Sequence, residues 1–420
     1  MKIIVAHPGR QHSFRVAKAL KDAGLLYRYA TTVYNKDSSL LMRFVKLFLG
    51  KDNYARAQRR KCPSLKDDDV IQFCEFEGLL LLALIRLDFT HKLSNAFNKY
   101  ISRKFQRKLA EYIIRNKVDA VISYDTNSMV LFSILKEKAP NVIRIMDNAH
   151  PNRHYLYHSY HEHWDSVGEF SKTLEPCGYL TNEKIACWHG DEMKLAQYHI
   201  VASTYSENAL IYEGINKQCI FKIPYGVDKN KFLERERQYS TNNINIMFAG
   251  EVNQRKGIKQ LLDAAKMINS PKVKFNIVGA GRSLCSELYK DYEPYVNFMG
   301  YVTFEELLRQ FKTNHLFVFP TMGEGFGLVL LEAMAAGLVP ITTNNCGGPD
   351  IIQNGENGFI IEVGDTKALV DKIMWCLDHP EEVESMSIKA IGTAKQYTWE
   401  RYEEKVVGTV LKIKELNNKQ

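Results

Sequence analysis

Residues 315–337 read His-Leu-Phe-Val-Phe-Pro-Thr-Met-Gly-Glu-Gly-Phe-Gly-Leu-Val-Leu-Leu-Glu-Ala-Met-Ala-Ala-Gly, a short apolar strand, a glycine turn and a helix. Gly323, Gly325 and Gly327 mark the turn, and residues 328–336 are good helix formers. A helix that begins in a glycine loop presents free N–H groups at the positive end of its dipole. Such a terminus suits a phosphate or diphosphate.

Two carboxylates bracket this turn, Glu324 before the helix and Glu332 inside it. Paired acids suggest glycoside hydrolysis, but the spacing argues against it. A fully helical interval would separate the two by roughly 12 Å at a rise of about 1.5 Å per residue. A retaining hydrolase needs about 5 Å and an inverting one roughly 6.5 to 9.5 Å. An anion site between separated carboxylates fits a ligand with a phosphate centre and a hydroxyl-bearing sugar on each side, the layout of a nucleotide sugar.

Short apolar runs recur through the second half of the chain at 244–250, 273–279, 296–300, 316–319, 339–342 and 358–361, alternating with helical segments. That pattern predicts a parallel sheet covered on both faces. In the first half the convincing strands are 2–6, 118–124, 142–146, 199–203 and the run from residue 220, with a helix over 14–23. A length of 420 residues suits two such α/β domains. Ligands of doubly wound sheets bind at the carboxyl ends of the strands. The loop 7–13 and the residues Asp147 and His150 therefore fall where chemistry is done.

Hydrophobic and charged contents of 45% and 25% are those of a soluble globular protein. The longest apolar run, 78–85, is closed by Arg86 and is much shorter than the roughly 20 residues that cross a bilayer. Residues 2–6 are followed at once by His7, Pro8 and Arg10, which leaves no signal-peptide core, so a cytoplasmic protein is expected. The eight cysteines lack paired short spacings and read as reduced thiols. A net charge of +8 is compatible with nucleic acid, anionic lipid or an anionic substrate.

Residues 40–61 combine large apolar side chains with Arg56, Arg59, Arg60 and Lys61. This is either a helix lying on anionic lipid or a core-facing helix with a solvated basic face. Residues 103–115 admit the same two readings. His154 and His158 stand at i,i+4 spacing, as metal ligands can, but no Glu or Cys occupies a companion zincin position, so no metal is expected. Gly279 and Gly281 form half of a dinucleotide fingerprint without the third glycine, a weak sign of NAD.

The contexts Gly-Glu-Gly-Phe-Gly-Leu and Leu-Glu-Ala-Met-Ala around Glu324 and Glu332, with the later Gly-Leu-Val-Pro, resemble the signature of the family 4 retaining glycosyltransferases. So does the stretch from Pro224 through Gly226, Val227 and Asp228 to Phe232, which is similar to that family's hinge. The resemblance is dense over 199–405 and sparse before it. It implies the GT-B fold, two Rossmann-like doubly wound parallel-sheet domains facing a cleft. Residues 1–225 would form the acceptor-side domain, 226–395 the nucleotide-sugar domain, and 396–420 a helix crossing back to the first.

The resemblance also implies site residues. Gly9, Arg255, Lys256, Gly327 and Leu328 would hold the donor diphosphate, Glu332 the ribose, and Glu324 and His150 the donor sugar at the reacting centre, with Lys256 stabilising the leaving group. Tyr301 and Val302 would border the base. Two departures stand out: Asp147-Asn-Ala precedes His150, and Glu251 occupies a position that is often basic. The implied activity is metal-independent transfer of a sugar from a UDP- or GDP-linked donor to a glycan or lipid-linked acceptor in surface polysaccharide biosynthesis. No cofactor and no nucleic acid are expected, and the enzyme would work in the cytoplasm with attachment to the inner membrane face as an extension. The alternatives are a non-catalytic GT-B-like binding module, or a sugar phosphorylase or nucleotide-sugar epimerase on the same fold.

Overall fold

The computed structural model describes residues 1–9, 12–39, 60–88, 92–232, 239–240 and 242–418. Residues 41–59 of the basic apolar segment, Arg56 and Arg59 among them, lie outside the described residues. The chain forms two compact units. One comprises Met1–Asn148, Asp191–Ile200 and Glu403–Gln420, and the other Ala149–Gly190 and Val201–Tyr402.

The first sheet contains β1 (Ile3–Ala6), β2 (Leu26–Thr31), β3 (Val70–Gln72), β4 (Ala120–Tyr124), β5 (Ile143–Asn148), β6 (Tyr198–Val201) and β7 (Ile220–Lys222), in the order β3-β2-β1-β4-β5-β6-β7. The second contains β8 (Ile244–Ala249), β9 (Val273–Val278), β10 (Asn297–Gly300), β11 (Leu316–Phe319), β12 (Val339–Thr343) and β13 (Phe359–Ile361), in the order β10-β9-β8-β11-β12-β13. The described pairings are parallel. Ile3, Ile4 and Val5 of β1 and Leu316, Phe317 and Val318 of β11 are all fully buried, as strands covered on both faces must be.

Helix Ile258–Ile268 shows how the second sheet is covered. It buries Ile258, Leu261, Leu262 and Ala265, a single stripe at helical spacing, and leaves Lys266 and Met267 outside. Each such buried Leu or Ile stabilises by about 1.5–3 kcal/mol.

Helix Lys92–Arg115 decides between the two readings of residues 103–115. Ile101, Phe105, Leu109 and Ile113 are buried, while Arg103, Arg107, Lys108 and Arg115 are exposed. This is a core-facing helix with a solvated basic face. Helix Glu75–Leu87 differs: Gly78 is its buried residue, and Phe76, Leu80 and Leu87 are 65%, 49% and 74% exposed.

From Glu403 onward the terminal helix Trp399–Asn418 groups with the first unit, where Glu403 accepts from Arg15 and Lys18 and Asn417 donates to Tyr198. The stretches Ala149–Gly190 and Val201–Tyr225 group with the second unit instead of the first 225 residues forming one body. Their side chains hydrogen-bond loops of the second unit: Ser203 and Ser206 donate to the Gly325 carbonyl, and Thr204 and Lys222 donate to Asp350.

Candidate functional site

In the second sheet the strand order reverses between β8 and β11, so the loops leaving their carboxyl ends run side by side. The β8 loop carries Arg255 and Lys256, and the β11 loop carries Glu324. The Arg255 carbonyl ties the two loops together, accepting from the Met322 amide at 3.1 Å, the Thr321 hydroxyl at 3.0 Å and the Tyr160 hydroxyl at 3.3 Å.

The side chains then converge. Arg255 Nη1 donates to Glu324 Oε1 at 2.7 Å and Lys256 Nζ to the same oxygen at 2.5 Å. Lys256 also lies 5.2 Å from the centre of the Phe319 ring. Burial alone would raise the Glu324 carboxyl, but Lys256 and Arg255 outweigh it and hold the group below the usual carboxylate range. Burial lowers the Lys256 ammonium even though Glu324 favours its charged form, whereas for Arg255 the pull of Glu324 overcomes burial and raises the guanidinium. The three groups carry a net positive charge.

Two glycines shape the turn. A Cβ on Gly325 would stand 2.0 Å from the Ala149 carbonyl oxygen, so only glycine lets the turn approach the segment carrying His150. Gly327, at φ +83°, caps helix Leu328–Ala335. Among the described residues the amides of Gly327, Leu328 and Val329 donate to no protein group, which leaves the helix terminus open. Glu332, within that helix, is half-buried, makes no side-chain hydrogen bond or ion pair among the described residues, and is pushed up to about 7 by burial. His150 is exposed, adjoins the Gly325 turn and contributes to keeping Glu324 charged.

Tyr301 and Val302 follow β10 on the same sheet, with Tyr301 91% exposed. Gly9 lies in the first unit, after β1. Its amide, expected for a phosphate, donates to His7 Nδ1 at 2.9 Å because the loop folds back on that ring.

The first unit has its own reversal of strand order, between β1 and β4. There the terminus of helix Met129–Lys138 is already filled: Glu192 accepts from the amides of Thr126 at 2.6 Å, Met129 at 2.7 Å and Ser128. His12 Nε2 meets Asp147 Oδ2 at 2.8 Å beside it in the same unit. Of two corresponding helix termini, one is occupied by the protein's own carboxylate and one is open. Glu192 carried no local motif in the sequence; it reaches its amides from more than sixty positions away.

Residues 229–393, which hold this cluster, match the family described as glycosyl transferases group 1. This segment is similar to group 1 glycosyltransferase domains. The chain is 35% identical over 156 residues to the capsular polysaccharide biosynthesis glycosyltransferase CapM of Staphylococcus aureus, covering 36% of this chain and 40% of CapM. A second relative, an uncharacterized 41.2 kDa protein in the cps region of Klebsiella pneumoniae, is 32% identical over 182 residues, covering 41% of this chain and 50% of that protein. The chain thus spans half or less of the length of these relatives. Across both units the fold is that of Anabaena HepE, solved in complex with UDP-glucose, with a TM-score of 0.62 at 16% identity over 98% of this chain and 100% of HepE. The fold class expected from the sequence, two parallel-sheet α/β domains of the GT-B type, is the one found.

Proposed function

We propose that the chain is a retaining glycosyltransferase that moves a sugar from a UDP- or GDP-linked donor to a glycan or lipid-linked acceptor in surface polysaccharide biosynthesis. The observation that carries this reading is the pair Arg255 and Lys256 meeting Glu324 beside the open helix terminus at Gly327 and Leu328. A diphosphate placed there would take over hydrogen bonds from both cations and from the free amides. Charge that develops on the leaving diphosphate is then met by groups already in position, in a site where buried charges interact strongly.

Glu332, which makes no side-chain hydrogen bond among the described residues, would accept the ribose hydroxyls. Glu324, released from part of its load, would orient the donor sugar, with His150 close by at the reacting centre. Because Arg255, Lys256 and the helix terminus supply the positive charge, the donor chemistry needs no metal. The name of CapM, a capsular polysaccharide biosynthesis glycosyltransferase, supports an acceptor in surface polysaccharide assembly.

The reading extends to where the enzyme works. No helix among the described residues is long and apolar enough to cross a membrane. Exposed Phe76, Leu80 and Leu87, together with the basic apolar composition of residues 41–61, favour attachment to an anionic membrane surface that presents a lipid-linked acceptor.

Thermal denaturation against a panel of nucleotide sugars tests the donor assignment. A ligand at 100 times its dissociation constant adds about 2.7 kcal/mol of stability. Stabilisation by a UDP- or GDP-linked sugar, lost in Glu332→Ala, is expected. A panel that leaves the transition unmoved would remove the assignment.

A further inference from the structure

Helix Arg153–His161 presents His154 and His158 one turn apart, and helix Glu183–Gly190 brings Glu183 to them. His154 Nε2 and His158 Nε2 are 3.0 Å apart, and Glu183 Oε1 lies 3.9 Å from the first and 3.7 Å from the second. The nearest point equidistant from these three atoms lies in their plane about 2.1 Å from each, so an ion slightly above that plane stays within the length of Zn–N and Zn–O bonds.

An outer carboxylate completes the arrangement. His154 Nδ1 donates to Glu213 Oε1 at 2.7 Å, so the proton sits on Nδ1 and the Nε2 lone pair faces His158. The helices that carry the ligands are closely held. A Cβ on Gly190 would stand 3.3 Å from the Asn152 side chain and 3.5 Å from the His154 Cβ, and the Asn152 side chain caps the His-bearing helix.

We propose that His154, His158 and Glu183 form a Zn²⁺ site, with Glu213 orienting His154 and a solvent molecule completing the tetrahedron. Two imidazoles and one carboxylate favour Zn²⁺ over the oxygen-seeking Mg²⁺ and Ca²⁺. The ligands are 23%, 37% and 54% exposed as side chains, so an ion reaches them from solvent. The ion ties the two helices together. It also braces Ser159 and Tyr160, next along the same helix, which accept from Asn345 and donate to the Arg255 carbonyl. The sequence left Glu183 unconnected to the pair because it lies on another helix.

The test is Zn²⁺ titration of the tag-free full chain after chelator treatment and dialysis, read by calorimetry, bound-metal analysis and thermal denaturation. One Zn²⁺ per chain and a rise of several degrees in Tm are expected, with no response to Mg²⁺. His158→Ala and Glu183→Ala should each lose both signals, and Glu213→Gln should bind 10- to 100-fold more weakly. Co²⁺ should give the intense visible bands of a tetrahedral ion in the wild type and not in His158→Ala. His158 and Glu183 are both solvent-exposed enough to be replaced separately, so either variant carries the test if the other fails to fold. No Zn²⁺ bound by the wild type, or equal affinity in both variants, would overturn the site.

Discussion

Lys256 and Glu324 are joined by a hydrogen bond of 2.5 Å between side chains that are each 13% exposed. Arg255 shares the same carboxylate oxygen, so one anion compensates two cations that the β8 loop holds side by side. Removing the anion leaves two buried like charges, which costs about 3–5 kcal/mol when a buried pair is broken from one side. Glu324→Gln should therefore lower Tm by several degrees, and pyrophosphate should stabilise this variant more than the wild type, because the cations no longer have to leave a carboxylate. Equal Tm values and equal responses to pyrophosphate would show that the cluster is not organised by charge.

Glu332 makes a prediction about pH. Its folded-state value of about 7 stands above the ordinary 4.5, so the folded chain binds more protons than the unfolded chain between those values. Stability then falls as pH rises through that window, and the cost of the buried charge is complete above about 7. Thermal denaturation from pH 4 to pH 8 should show the wild type losing ground to Glu332→Gln across the interval. Parallel curves would place the carboxylate in water.

How much of this was legible in the sequence depended on the length and purity of each apolar run. The strands 244–249 and 316–319 stood out because both faces are largely buried and the runs are nearly unbroken, and 273–278 because its apolar residues alternate with Lys274 and Asn276 before closing on Ile277 and Val278. β2 did not, since Tyr27 and Arg28 interrupt it, and β3 is three residues long. Arg255, Lys256 and Glu324, whose side chains meet in the fold, stand in glycine-bounded motifs whose residues are close in sequence. Tyr160, Ser203 and Ser206, which hold the same loops, carry no such motif and act only through the tertiary fold. The Glu192 plug and the Glu183 partner of the histidines escaped for the same reason.

Chelation separates the donor chemistry from the proposed zinc site. Donor turnover should persist in excess EDTA, because Arg255, Lys256 and the helix terminus carry the positive charge. A fall in Tm on chelation with turnover retained is the expected pattern. Complete loss of turnover, restored by Mg²⁺ or Mn²⁺, would assign the diphosphate to a metal.

Membrane attachment predicts salt-sensitive binding to phosphatidylglycerol vesicles and little to neutral ones. Each Lys or Arg near the surface contributes roughly 1 kcal/mol, screened over a Debye length of about 8 Å at physiological salt. Replacing Arg56, Arg59, Arg60 and Lys61 with Gln should weaken binding and leave donor hydrolysis intact. A wild type that ignores anionic vesicles at low salt would point to a soluble acceptor.

The central claim is that Lys256 stabilises a leaving nucleoside diphosphate. It is tested by measuring nucleoside diphosphate released from UDP- and GDP-linked sugars by the wild type and by Lys256→Ala. Slow release by the wild type from at least one donor is expected, with the variant folded and slower by two or more orders of magnitude, about 3 kcal/mol, as for loss of one oxyanion donor. Equal release by the two proteins would contradict the role of Lys256, and no release from any donor would contradict the enzyme.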